Sequence, residues 1–277
     1  NKIQYIISEN INSDSDVLKE ISTNMMGISY GAPWILNENF INKFNGKLLN
    51  IHGVRLPQDR GGATLSWLII QNRRLGYCLM HKLEKGIDKG PIIKFREFHY
   101  PHECRIPIDY RDFYEKQNDD FLKEFVTEIK NGTDFKEIHQ LEYLSTYWPR
   151  ISTEHHGFID WNWNLKQIEL FICAFDEPYA GASTFLNGER IFVKSCHIDY
   201  SDGSFHPYQI GLVFRKTLNS LFIATIDGTL IIQKITNSKG NNIINDVKLG
   251  DRLYTPTNIL DNAKQFRANF TSKGLKE

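Results

Sequence analysis

Neither sign of charge is in excess. The 277-residue chain carries 33 Lys+Arg and 33 Asp+Glu, a formal net charge of zero with His neutral. A protein that grips long nucleic acid carries a basic surplus, because phosphate contacts dominate that affinity. The balance therefore argues against nucleic acid as the main partner, a local patch aside. Long apolar runs are also missing: none reaches the roughly 18 residues that a membrane-spanning helix needs, so no membrane partner is expected. No secretory signal opens the chain. Only four cysteines occur, Cys78, Cys104, Cys173 and Cys196, with no CxxC pair. That usage suits free thiols in a reducing compartment, with the cytoplasm as the expected location. Internal repeats and low-complexity tracts are absent. What is present is apolar material, 41% hydrophobic and 13% aromatic, enough for packed cores rather than disorder. The length suits one large domain or two ordinary ones.

Short apolar runs alternate with helical stretches over residues 1–132. IQYIIS (3–8), MMGISYG (25–31), KLLNIHG (47–53), YCLMHKL (77–83) and PIIKFREF (91–98) read as strands. SDSDVLKEIS (13–22) and GGATLSWLIIQN (61–72) read as helices, the first with Ser and Asp placed to cap it. This alternation predicts an α/β layer with a largely parallel sheet. A long helix follows, with Phe121, Leu122, Phe125, Val126 and Ile129 at helical spacing and Asn131-Gly132 as its stop. Residues 133–164 lack periodicity and predict an extended linker over the surface, closed by a short helix at 165–175. From about 176 to 260 the pattern becomes that of a small antiparallel barrel or sandwich, with Asn187-Gly188 and Asp227-Gly228 as hairpin turns. The tail, 261–277, predicts a frayed helix.

The segment LLNIHGVRLPQDRGGA (48–63) carries the chemistry. Leu48, Leu49 and Ile51 mark a buried strand, and Asn50 and His52, two apart, point to one face of it. A polar pair near the C-terminal end of a strand is where α/β sheets place their sites. Arg60-Gly61-Gly62 opens into an apolar helix, whose first backbone N–H groups would be free to meet an anion. Asp88 lies between Gly86 and Gly90 in a second loop. An amide can donate to a developing oxyanion, an imidazole can give or take a proton near neutrality, and a carboxylate can accept one. No covalent nucleophile accompanies them. The set suits direct attack of an amine on a carbonyl. The plainer readings are a buried polar pair for Asn50 and His52, and turn chemistry for Asp88. His99, His102 and Cys104 invite a zinc site, but Pro101 interrupts and no second pair matches, so a loop is expected there.

Asn50-Ile51-His52, Leu56-Pro57, Arg60-Gly61-Gly62-Ala63 and Gly86-Ile87-Asp88-Lys89-Gly90 together resemble the formyltransferases that use N10-formyltetrahydrofolate. Tyr30-Gly31 with Ile35-Leu36 upstream, and Gly157 to Trp161, Ala174-Phe175 and Leu186-Asn187-Gly188 downstream, resemble the methionyl-tRNA and amino-sugar branches. The resemblance runs from about residue 3 to 255. It implies a Rossmann-like catalytic sheet over 1–132, a linker over 133–175, and an OB-like barrel over 176–260. It also implies Asn50, His52 and Asp88 as catalytic residues. Asn50 and His52 would polarise the formyl oxygen, and Asp88 would pair with His52 and help remove the amine proton. Ile35, Leu36, Val54, Arg55, Leu56, Pro57, Leu83, Glu84 and Ile87 would line the folate side. Arg60, Trp67 and Tyr147 are expected on the substrate side, with Trp34 and Trp148 as further stacking surfaces. No metal is implied.

Two departures from the family pattern stand out. Only 49 residues precede Asn50 and the chain opens at Asn1 rather than Met, so an N-terminally shortened sheet is expected. Arg55 stands where the family has an apolar residue. The neutral charge favours a nucleotide-linked amino sugar as acceptor, with initiator methionyl-tRNA as the alternative and a homodimer admitted. A degenerate, non-catalytic binding protein is the third reading.

Overall fold

The computed structural model describes residues 4–32, 34–271 and 274–276, with side chains described through 268. The Asp14 carboxylate accepts the N–H groups of Asp16 and Val17 and starts α1 (Ser15–Glu20). Strand β1 (Gly27–Tyr30), helix α2 (Glu38–Asn42) and strand β2 (Leu48–His52) follow. A two-residue strand, β3 (Arg60–Gly61), leads into α3 (Thr64–Ile70). Then come β4 (Leu75–Lys82), β5 (Ile92–His99) and the long α4 (Pro107–Lys130). Pro107 opens α4, where a missing N–H costs nothing. The helix stops at Asn131, and Gly132 takes φ +73° beyond it.

The N-terminal sheet has the order β1-β2-β4-β5. Its directions correct the expectation of a largely parallel sheet. Only β1 and β2 run parallel, while β2–β4 and β4–β5 are antiparallel. The loop 83–91 is a direct return between adjacent strands, which sets β5 against β4. Alternation along β2 and β4 sends Leu49, Ile51, Cys78 and Met80 into the main core, which α3 and α4 cover. Tyr77, Leu79 and Ile92 gather with Leu56 in a smaller cluster.

The C-terminal half opens with β6 (Tyr147–Trp148), α5 (Thr153–His156) and α6 (Leu165–Ala174). Six strands then form one antiparallel sheet: β7 (Ala182–Leu186), β8 (Glu189–Asp199), β9 (Val213–Lys216), β10 (Leu221–Ala224), β11 (Thr229–Asn237) and β12 (Leu253–Tyr254). Their order is β12-β7-β8-β11-β10-β9, and the flanks of the two outer strands meet through an antiparallel bridge, Leu212 with Arg252. The sheet thus curls into the expected barrel-like form. Asn187 and Gly188 both take positive φ, 52° and 85°, as a two-residue hairpin turn requires.

The ends of the chain depart from expectation. Residues 4–8 adopt no strand, and residues 1–3 of the expected run lie outside the described residues. The tail is not one frayed helix. Helix α7 (Thr257–Gln265) ends when Phe266 turns to ψ 137°, and β13 (Asn269–Thr271) then pairs with β14 (Gly274–Lys276). Among the described residues, no helix is long and apolar enough to cross a membrane.

A division at 132, 175 and 260 is proposed from the sequence. The apolar core nevertheless runs unbroken across the first two limits, joining Leu49, Leu68 and Phe121 to Ile168, Ile172 and Leu230. Helix α3 packs on α6, and the Ser66 hydroxyl donates to the Ala174 carbonyl at 2.8 Å. Ile168 is fully buried at this junction. Replacing it with Ala should cost about 2–5 kcal/mol by transfer and cavity terms. Urea unfolding should show one transition, coincident by tryptophan fluorescence and circular dichroism, moved to lower urea. Two separated transitions would contradict a shared core.

Candidate active site

Strand pairing assembles the site. Asn50 and His52 alternate onto one face of β2, and the register places His81 of β4 directly opposite Asn50. The Asn50 Nδ2 donates to His81 Nε2 at 3.1 Å. His81 Nδ1–H donates to the Lys82 carbonyl at 2.8 Å, so its tautomer leaves the Nε2 lone pair to accept that Asn50 N–H. His52 Nε2–H donates to the Asp59 carbonyl at 3.2 Å, so in the neutral ring the lone pair sits on Nδ1. Asp59 is itself anchored: its carboxylate takes two 2.7 Å bonds from Arg73 and one from the Trp148 indole.

Asp88 closes the group from the second loop. Its backbone adopts φ +50°, and Gly86 before it takes φ +106°, so two left-handed residues fold the loop back on itself. The Gly61 N–H donates to Asp88 Oδ2 at 3.1 Å. Asp88 Oδ1 then lies 4.0 Å from His52 Nδ1 and 3.7 Å from His81 Nε2. Both distances exceed hydrogen-bond reach. An imidazole lone pair and a carboxylate oxygen therefore face the same space with no proton of their own between them, and His81 Nε2 borders it. The second N–H of Asn50 is the donor at its edge. Such a space accepts a group that brings protons with it, as an amine does. The three acceptor atoms lie within 4.8 Å of one another, a spacing on which a divalent cation could also close.

The other expected residues distribute unevenly. Leu36 and Leu83 pack on the cluster of Phe40, Phe44 and Leu48 beside the start of β2, with Ile35 exposed next to them. Arg55, Glu84 and Ile87 are exposed, while Leu56 and Pro57 are buried. The Val54 side chain is spent on the main core, so only its backbone remains for a ligand. Arg60, Ile87, Lys89 and Tyr147 line a cleft of about 330 Å³. Trp67 is elsewhere: its indole N–H donates to the Pro149 carbonyl at 2.8 Å and its ring packs on Trp148. Ahead of α3, the Gly61 N–H is committed to Asp88 and the Gly62 N–H to the Trp148 carbonyl, so neither of these two glycines offers its N–H to an anion. Cys104 packs against the Asp109 carbonyl, in keeping with a loop.

His81, Asp59 and Gln140 escaped the sequence reading. His81 sits inside an apolar run, and only the antiparallel register sets it opposite Asn50. Asp59 contributes a main-chain carbonyl, which no side-chain pattern reports. Gln140 lies 80 residues from Arg60, the group that it binds.

Burial, and then the neighbouring His52 ring, hold the His81 imidazole well below its ordinary value of 6.5, down to about 4. It is neutral at pH 7, as its acceptor role requires. The unfolded chain takes a proton on this residue as pH falls below 6.5, whereas the folded chain refuses it until near 4. The stability tied to His81 is thus whole above pH 6.5 and is lost on the way to 4. In His81→Gln the fall of melting temperature across that window should be shallower than in the wild type. An equal slope would show that His81 is not held neutral.

Comparison with known proteins shows the family of the chain. Residues 13–103 match the formyl transferase family and residues 151–246 match the formyl transferase C-terminal domain. A methionyl-tRNA formyltransferase of Ruminiclostridium cellulolyticum is 29% identical over 189 residues, covering 68% of this chain and 58% of that protein. This chain therefore spans little more than half the length of that relative. The bifunctional polymyxin resistance protein ArnA of Wigglesworthia glossinidia brevipalpis is 26% identical over 263 residues, 88% of this chain and 38% of its own. Among solved structures, WlaRD, a sugar 3N-formyl transferase crystallised in the presence of dTDP and 5-N-formyl-THF, superposes with a TM-score of 0.58. It is 22% identical, over 80% of this chain and 77% of that one. Both halves of the family pattern lie in order on one polypeptide, and the chain belongs to the formyl transferase family.

Proposed function

We propose that this chain transfers a formyl group from N10-formyltetrahydrofolate to a primary amine, that of a nucleotide-linked amino sugar. The observation that carries the reading is the convergence of His52 Nδ1, His81 Nε2 and Asp88 Oδ1 beside the Asn50 amide. The formyl donor supplies an activated carbonyl carbon, and the chain's own groups do the rest. The free Asn50 N–H donates to the formyl oxygen as negative charge grows there. As the amine nitrogen bonds the formyl carbon, Asp88 and His52 take up the proton that it loses, and the same groups return that proton to N10 of tetrahydrofolate as the carbon–N10 bond breaks. His81 holds the Asn50 amide, and the Asp59 carbonyl holds the His52 ring, so both are oriented before substrate arrives.

The residues present suit a folate. Ile35, Leu36 and Leu83 give apolar surface on one side of the site, with exposed Glu84 following in the loop. On the other side, the cleft sets Lys89 and the Tyr147 ring near Arg60. Arg60 is buried and held by Gln140 and Glu142, whereas Lys89, which shares Glu142, and Tyr147 both stay exposed to the cleft and are the groups placed to meet phosphate and sugar or base. The neutral overall charge supports a small anionic acceptor over a long polyanion. WlaRD, described as a sugar 3N-formyl transferase, supports the same choice, while the methionyl-tRNA formyltransferase relative supports initiator tRNA as the second reading. The complete proton-acceptor set argues against a degenerate binding protein. A cytoplasmic setting fits the four free, buried cysteines.

Incubation with formyltetrahydrofolate and a panel of amino-sugar nucleotides should add one formyl unit by mass spectrometry. Gain on methionyl-tRNA alone would overturn the sugar acceptor, and no gain on either would overturn the activity. In the active pairing, Asp88→Asn and His52→Ala should each lower kcat by about 10²–10⁴-fold. Asn50→Ala should lower it by about 10²–10³-fold. The melting temperatures should stay close to that of the wild type.

A further inference from the structure

The stretch expected as a bare surface linker is tied to both loops of the site. Ile138 exchanges two 2.9 Å backbone bonds with Ile92 at the start of β5. Further along, Tyr147 and Trp148 pair in parallel with Arg60 and Gly61, and the Thr146 hydroxyl bonds the Gln58 carbonyl. Between these attachments lies Gln140. Its Oε1 accepts from Arg60 Nη2 at 2.9 Å and Nε at 3.3 Å. Its Nε2 donates to the Asp88 carbonyl at 2.8 Å and to the Gly90 carbonyl at 2.7 Å. All four bonding positions of the amide are thus used, two on the loop before Gly61 and two on the loop that carries Asp88.

We propose that Gln140 is a positioning residue for the transfer reaction. One amide spans the Arg60 and Asp88 loops and thereby sets the Asp88 carboxylate against His52 and His81. The proposal rests on the reading of Asp88 as a proton acceptor in formyl transfer. The need for such a clamp is visible in the loop. Asp88 lies in the left-handed region with Gly86 and Gly90 on either side, so the backbone there has many other conformations open to it. The carboxylate must stand at 3.7–4.0 Å from the two imidazoles to leave room for a reacting nitrogen. One oxygen is held by the Gly61 N–H, but Gly61 follows Arg60, and Gln140 binds the Arg60 guanidinium. The side chain that holds the Asp88 main chain thus also secures the residue before the donor that holds the Asp88 side chain. A second salt-linked group, Glu142, bonds Arg60 at 2.8 Å and Lys89 at 3.2 Å. It does not reach either loop carbonyl, so that task falls to Gln140 among the described residues.

The test is a double-mutant cycle with a kinetic readout. Gln140→Glu keeps oxygen acceptors for Arg60 but replaces the two donated bonds with a carboxylate oxygen facing two carbonyls. It should lower kcat about 10²-fold, the effect of a displacement on the order of 1 Å in a reacting group. KM for both substrates should change by less than about threefold. In the Asp88→Asn background the same substitution should cost less than about twofold more, because residues that act as a unit are non-additive. Should Gln140→Glu fail to fold, the cycle is run with Gln140→Asn, which keeps the amide on a shorter arm. It should give a smaller loss of kcat with the same non-additivity. A full 10²-fold further loss in Asp88→Asn, wild-type kcat in the single variant, or a rise in KM at constant kcat would each overturn the positioning role. Wild-type activity in Asp88→Asn would overturn the reading of the site, and this proposal with it. Loss in Asp88→Asn together with an additive cycle would overturn the proposal alone.

Discussion

The antiparallel register of β2 against β4 is the constraint on which the cleft depends. With Asn50 opposite His81 and Ile51 opposite Met80, one face of the strand pair is polar and the other joins the core. A slip of one residue would exchange these faces and bring Met80 to the site and His81 into apolar surroundings. The core side enforces the register, because Leu49, Ile51, Cys78 and Met80 are all almost fully buried and a slipped strand would bury polar groups without partners. The chemistry is thus held in place by side chains that point away from it.

Tautomers are set by the same backbone. His52 and His81 each donate one ring N–H to a main-chain carbonyl, Asp59 and Lys82 respectively. The remaining nitrogens can only accept while the rings are neutral. Asp88 adds a third acceptor and takes the Gly61 N–H on its other oxygen. His81 Nε2 is met by the Asn50 amide, while the open lone pair of a neutral His52 ring and the Asp88 oxygen repel one another unless a proton-bearing group enters. The folded chain therefore presents a space that favours a hydrogen-bond donor. Its cost is borne by the surrounding bonds: Arg73 on Asp59, and the Arg60, Gln140 and Glu142 network beneath the loop. The guanidinium of Arg60 is almost fully buried, and a buried cation is tolerated only where its donors are met.

Most elements could be read along the chain. Asp14, Pro107 and Asn131-Gly132 announce helix ends through local hydrogen bonding and dihedral preference, and Asn187-Gly188 announces a hairpin for the same reason. Local signals fail where long-range pairing decides. The run at 4–8 has the composition of a strand yet forms none, and the expected parallel sheet proved mixed, because β4 pairs antiparallel with both β2 and β5. At the site, Asn50, His52 and Asp88 were visible as residue types with chemistry in a recognisable spacing. His81 was not, since an imidazole amid Tyr77, Leu79 and Met80 looks like part of an apolar strand. Trp67 was expected to stack on a substrate and instead packs on Trp148.

Periodicity, capping residues and motif spacing were thus enough to establish the layer-plus-barrel architecture, the family, and three of the four polar side chains at the cleft, because each depends on residues near one another in the chain or on a pattern that they share. Tertiary structure alone decided strand direction, the meeting of His81 with Asn50, the carbonyl of Asp59 as a ring anchor, and the conversion of a featureless linker into a clamp through Gln140. These are contacts between groups 7 to 80 residues apart, and they exist only once the apolar core has drawn the separate segments into one register.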